Sequence, residues 1–316
     1  LAGMCDRLLE FSDEVKRRHP SVIVRSAVLS FGTGREMQLN SNGVDFETRG
    51  ASYSFSTTFL AKDGSRTSSF NYTGCACSDL SKPLIELGMV PILLGQIVEQ
   101  TEPRRLPGSF IGDLVLSPDC FSGFLGRAFA PLADRPLIAG TSIYKDKLGQ
   151  AIASSSLSVD FSPAAEGRAV KSFVTSDGFK AGELRLLDQG VLRSYLLSHK
   201  GSLKTGYARA PNYGEGLVVQ AGSSSLEEMI AGVERGVLLC RFSGDSPNEN
   251  GDFSGIAKNS YYIEDGRIRH PVTELMVAGN TAGLLRNIRA LSGRRIDFGD
   301  SLVPWALVEG ITISGS

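Results

Sequence analysis

Gly299-Asp300-Ser301-Leu302 spells the signature of lipase-type serine hydrolases. In such enzymes a serine attacks an acyl carbon, a histidine takes its proton and a carboxylate orients the histidine. There the serine lies near the N-terminus with its Asp and His following; here 14 residues follow Leu302 and none is histidine. A tight turn capped by Asp300 or Ser301 is the simpler reading. The chain has three histidines: His19 before Pro20, His199 at the start of an expected short helix and His270 before Pro271. A triad is defined by geometry rather than order, so His270 stays open as a base for a distant serine, against a plainer surface or capping role. Asp245, Glu249 and Asp252, with Asn248 and Asn250, could hold a hard cation but lack EF-hand spacing, so a solvated loop is preferred. Cys75-x-Cys77 is the one close cysteine pair, and few histidines exist to complete a metal site. No glycine-rich phosphate loop occurs between a strand and a helix, so no nucleotide site is indicated.

These groups must be positioned by elements that the patterning predicts. Residues 1–18 read as a helix ended by Pro20, and the start at Leu1, already inside this pattern, suggests that a longer protein precedes it. A four-stranded antiparallel meander is expected over 21–73, with turns at Gly32-Thr33-Gly34, Asn42-Gly43 and Asp63-Gly64. Residues 82–101 read as a helix interrupted by Pro91. The stretch Gln100 to Gly108 reads as a linker, which divides the chain into regions 1–105 and 106–316. A strand at Ile111–Leu116 leads to a helix opened by Ser117-Pro118-Asp119, with Asp119 as a possible cap. Residues 131–155 look irregular. Hairpins are expected across Gln189-Gly190 and Asp265-Gly266. Helices are expected over Ser224–Arg235, where Ser225 and Glu228 form a capping box, and over Ala278–Leu291. A strand at Ala306–Ile313 closes the chain. The fold class is α+β, mostly antiparallel sheets with packed helices.

Composition narrows the function further. The 316 residues are 41% hydrophobic and 21% charged, enough for a large core. The net charge is −1 and no basic run exceeds Lys16-Arg17-Arg18, so a nucleic-acid partner is not expected. No window approaches the ~18 apolar residues of a membrane span, and no signal peptide is visible. Five cysteines, Cys5, Cys75, Cys77, Cys120 and Cys240, at irregular spacing read as reduced thiols in a cytoplasmic protein.

Several segments resemble the TldD/PmbA family, whose older description is modulator of DNA gyrase. The run Tyr261 to Ile268, then Pro271-Val272-Thr273-Glu274 and Val277-Ala278-Gly279-Asn280, is similar to its most specific block. Leu186–Leu192 with Tyr195-Leu196, Lys200–Gly206, Gly251–Ser254 and Gly310–Gly315 resemble further blocks. The resemblance implies a TldD/PmbA-like fold, normally preceded by another N-terminal α/β domain. One branch of the family carries H-E-x-x-x-H on a helix, two histidines for zinc and a glutamate as general base, with a cysteine near the C-terminus as a further ligand. The matching helix here is Cys120–Arg127. Its best register sets Ser122 and Arg127 at the histidine positions and Gly123 at the glutamate; the cysteine position falls near Phe298-Gly299. Serine is a poor zinc ligand, glycine is no base and a protonated arginine repels the ion.

The departure resembles the zinc-less PmbA/TldE-like branch. It implies a pseudoenzyme with no catalytic residue, metal or cofactor of its own, paired with a TldD-type zinc protease subunit. Such complexes are linked to peptide maturation and to degradation of small unfolded polypeptides, so an extended peptide is the expected substrate. A homodimer is a further possibility. Trp305, the only tryptophan, is a candidate interface residue, with a core position as its equal rival. The alternative function is a stand-alone hydrolase using Ser301, Ser122 or an unrecognised metal site.

Overall fold

The computed structural model describes residues 2–41 and 43–315. Helix α1 (Ala2–Arg18) buries Phe11 and Val15, and its last turn carries Lys16, Arg17 and Arg18 at the negative end of the helix dipole. β1 (Val22–Leu39) and β2 (Asp45–Asp63) form one long antiparallel hairpin, in register from Val22 opposite Ala61 to Leu39 opposite Asp45. The turn expected at Gly32-Thr33-Gly34 is corrected: these residues run through β1, opposite Ser52, Ala51 and Gly50. Glycine accepts extended backbone as readily as a turn, and the partner strand decides. At the tip, Asn42 lies outside the described residues and Gly43 has φ +85°.

β3 (Arg66–Thr67) and β4 (Asn71–Cys77) complete a four-stranded sheet. β4 pairs only with Tyr53–Phe59 of β2, so the outer half of the hairpin is a two-stranded ribbon. Its stretches 32–36 and 48–52 face residues 169–173 across a small cavity. The helix expected over 82–101 is shorter: α2 (Val90–Ile97), flanked by 3-10 turns at Leu84–Glu86 and Glu99–Thr101. Pro91 begins this helix instead of breaking it, because a first-turn residue needs no N–H partner.

The rest builds the second sheet. β5 (Ser109–Leu116) leads into α3 (Pro118–Phe129) and α4 (Asp134–Ala139). Then come β6 (Val159–Phe161), β7 (Leu184–Asp188), β8 (Val191–Leu192), α5 (His199–Thr205) and β9 (Leu217–Val219). α6 (Leu226–Ala231) precedes β10 (Arg235–Leu239), β11 (Arg241–Gly244), β12 (Asp252–Lys258), β13 (Ser260–Glu264), β14 (Arg267–Val272) and β15 (Leu275–Asn280). α7 (Thr281–Arg286), β16 (Ile288–Asp297) and β17 (Leu302–Ser314) follow. The sheet runs β14-β13-β10-β5-β17-β9-β6-β7-β8, with β15 and β16 also on β17. Its pairs are antiparallel except β10 with β5 and β17 with β9. The expected α+β class with mostly antiparallel sheets is the class observed.

Two element assignments are corrected. The helix expected over Ala278–Leu291 is the end of β15, the six-residue α7 and the start of β16. The helix after Ser224 stops at Ala231, and Arg235 opens β10. The Ser225/Glu228 capping box is formed in both directions.

Strand alternation divides the interior into two cores. Leu114 and Leu116 of β5, Val237 and Leu239 of β10, and Ala306 and Val308 of β17 face α3. Val115, Leu238, Trp305 and Leu307, one residue out of phase, face α1, α2 and the smaller sheet. This second core joins residues from both sides of the stretch around residue 106. Trp305 belongs to that core and is 4% exposed, the core position that the sequence left as the rival of an interface role. Among the described residues no helix is long and apolar enough to cross a membrane.

Candidate functional site

Helix α3 is amphipathic. Phe121, Phe124, Leu125, Ala128 and Phe129 are buried, while Ser122, Gly123, Gly126 and Arg127 come to the opposite side at helical spacing. Ser117, not Asp119, caps the helix, its hydroxyl accepting from the Cys120 N–H at 3.4 Å. Asp119 lies 3.6 Å from Arg241, and burial raises its carboxyl pKa against that charge.

The outer face of α3 opens into two cavities that meet across Gly126 and Ala130. One, about 640 Å³, runs past Ser122, Phe129, Phe161, Tyr213, Glu215 and Ser301. The other, about 720 Å³, is bounded by Arg127, Arg135, Thr141, Asn248 and Glu249. An added Cβ at Gly126 would meet nothing within 4 Å, so the helix backbone is open to a ligand there. The groove is mostly apolar on the Ser122 side and carries guanidinium groups on the other.

Arg127 is half-buried. Its Nη1 donates to the Gly123 carbonyl at 3.2 Å, and its guanidinium carbon lies 5.9 Å and 5.5 Å from the ring centres of Phe124 and Phe242. An added Cβ at Gly123 would stand 3.3 Å from Nη1, so the small residue leaves space for the arginine. These groups do not fit zinc. Ser122 offers a neutral hydroxyl, Gly123 nothing and Arg127 a permanent cation. Among the described residues no three His, Cys, Asp or Glu side chains converge as a ligand set.

Ser122 and Ser301 line the same cavity, which sequence spacing gave no means to see. The Ser301 hydroxyl donates to Asp300 Oδ1 at 2.8 Å within a turn closed by Phe298 N–H to the Ser301 carbonyl at 2.9 Å. Among the described residues no histidine lines this cavity. The His270 ring pairs with the Pro271 carbonyl at 3.1 Å, His199 packs against Phe179, and half-buried His19 has its pKa lowered by burial and by Arg18. In the acidic loop, Asp252 accepts from Asn280 at 2.8 Å and Asn248 at 3.1 Å, which lowers its pKa. The cysteines are unpaired, and burial pushes the Cys75 and Cys120 thiols up to about 12. Buried protonated thiols are poor nucleophiles and poor ligands. Arg135, Tyr213 and Glu215 were not legible as site residues; each reaches the groove from an element whose position depends on the completed sheet.

A sequence profile described as the PmbA/TldA metallopeptidase C-terminal domain matches residues 110–315. Among curated proteins, a metalloprotease of Methanothermobacter thermautotrophicus is 30% identical over 56% of this chain and 41% of its own length. A metalloprotease PmbA homologue of Haemophilus influenzae is 23% identical over 85% of this chain and 60% of its own length. The chain thus spans roughly half the length of these curated relatives. TldE from Thermococcus kodakarensis shares the fold, with a TM-score of 0.83 over 98% of this chain and 74% of that one at 18% identity.

Proposed function

The chain belongs to the PmbA/TldD metallopeptidase family, and from that membership we propose that it is a non-catalytic subunit of the PmbA/TldE kind, holding an extended peptide for a TldD-type zinc-bearing partner. One observation carries this reading: the α3 face with Ser122, Gly123 and Arg127 keeps a large open groove, and among the described residues no set of three His, Cys, Asp or Glu side chains converges there to hold a metal. The groove supplies apolar walls from Phe129 and Phe161 and a bare helix surface at Gly126, suited to side chains and backbone of an unfolded segment. Backbone pairing at exposed strand edges, such as the outer edge of β1, would add affinity without sequence preference. The proposal sets the complex in the cytoplasm, in keeping with five unpaired cysteines.

The test is a cleavage assay with unfolded, casein-like peptides. The isolated chain is expected to leave them intact, and its mixture with a TldD-type partner to cleave them. Chelator-sensitive proteolysis by the isolated chain would overturn the proposal.

A second reading rests on Ser122 and Ser301 sharing one cavity with Asp300. A stand-alone serine hydrolase would be labelled by a fluorophosphonate probe at Ser301 or Ser122. Absence of label on the folded chain removes this reading.

A further inference from the structure

We infer that the cavity on the Arg127 side of α3 recognises the C-terminal carboxylate of a bound peptide through the guanidinium groups of Arg127 and Arg135. This deepens the peptide-holding reading and rests on it. An arginine has five N–H donors. Arg127 uses its Nη1 on a carbonyl of its own helix and otherwise faces two aromatic rings. Arg135, on α4, is exposed and makes no hydrogen bond or ion pair among the described residues. No carboxylate of the described residues comes within 4.0 Å of either guanidinium.

A half-buried cation without a counter-charge is costly, and the rings of Phe124 and Phe242 offset only part of that cost. The arrangement is favourable when an anion arrives. Two guanidinium groups against Glu249, the single carboxylate of the cavity wall among the described residues, leave the cavity positive. Thr141 adds a hydroxyl donor. The planar fork of arginine matches a carboxylate with two parallel hydrogen bonds. A peptide end suits this place because the preceding backbone can cross the open helix surface at Gly126 and Ala130 into the neighbouring apolar cavity. Inorganic phosphate presents the same oxyanion chemistry without a peptide, so the test must separate the two.

Short unstructured peptides are synthesised as a library in C-terminal acid and amide forms and titrated into the full chain, with inorganic phosphate as competitor. The acid forms are expected to bind roughly tenfold more tightly, as charge-assisted hydrogen bonds would give. Arg127→Gln and Arg135→Gln are each expected to erase the difference between acid and amide, and Arg127→Lys to restore only part, since it keeps the charge without the fork. Arg135 is exposed, so Arg135→Gln keeps the test valid if Arg127→Gln fails to fold. Equal binding of the two forms overturns the carboxylate assignment and leaves peptide holding intact. No binding of either form overturns both. Phosphate binding that depends on the two arginines, with no acid preference, overturns the peptide assignment in favour of a free anion.

Discussion

Arg209 grips Asp177 with two parallel hydrogen bonds, Nε to Oδ2 at 3.1 Å and Nη2 to Oδ1 at 2.9 Å, while its guanidinium carbon lies 4.0 Å from the centre of the Phe179 ring. Thr175 also donates to this carboxylate at 2.6 Å, and the His199 N–H at the start of α5 at 2.8 Å. The cluster ties the 172–182 loop, beside the Ser122 cavity, to α5. Partial burial raises the Asp177 pKa, but the hydrogen bonds outweigh it and hold the carboxyl well below its usual range. A depressed folded-state pKa contributes stability that is fully present above the unfolded value, about 4. That stability is lost as pH falls below it. Asp177→Asn is expected to cost about 2 kcal/mol at pH 7, the scale of hydrogen bonds to a charged group. Urea unfolding of both proteins should show the gap narrowing steadily as pH falls below about 4. A gap independent of pH would contradict this account.

Trp305→Ala is expected to destabilise the chain by about 3–5 kcal/mol, the range for emptying a buried large aromatic site. The ring is in the core and 4% exposed, so sedimentation should show the same association state for the folded variant and the parent. Weakened association with unchanged stability would return Trp305 to an interface.

Gly299 has φ +87°, and an added Cβ would stand 2.2 Å from the Ala76 carbonyl oxygen. Its own carbonyl accepts from the Ala169 and Val170 N–H groups. Gly299→Ala therefore strains the turn and pushes it off β4, at an expected cost of more than about 2 kcal/mol. Thermal melts of this variant beside Gly126→Ala, where the Cβ has open space, would check the contrast.

Metal analysis gives a further outcome. With Ser122, Gly123 and Arg127 on the α3 face, purified protein is expected to carry no stoichiometric zinc, and chelator to leave its melting temperature unchanged. About one zinc per chain, lost on changing α3 residues, would refute the donor-set argument.

Local chemistry was written in the sequence. The turns at Gln189-Gly190 and Asp265-Gly266 form where these residues tolerate positive φ, at 47° and 79° and at 50° and 70°. Ser225 and Glu228 close their capping box within one helical turn. The family-like blocks were equally legible, because each depends on residue identity at short range. Tertiary structure decided what depends on distant partners. Gly32-Thr33-Gly34 became strand because β2 lies opposite with a full set of backbone groups to pair. The apolar run 278–291 was divided between two strands because β17 and β12 take up its hydrogen bonds. Trp305 went inward because strand alternation sets it on the face covered by α1 and α2. Ser122, Glu215 and Ser301 share a cavity, and Arg127 and Arg135 another, only because the completed sheet carries their separate elements to one helix face.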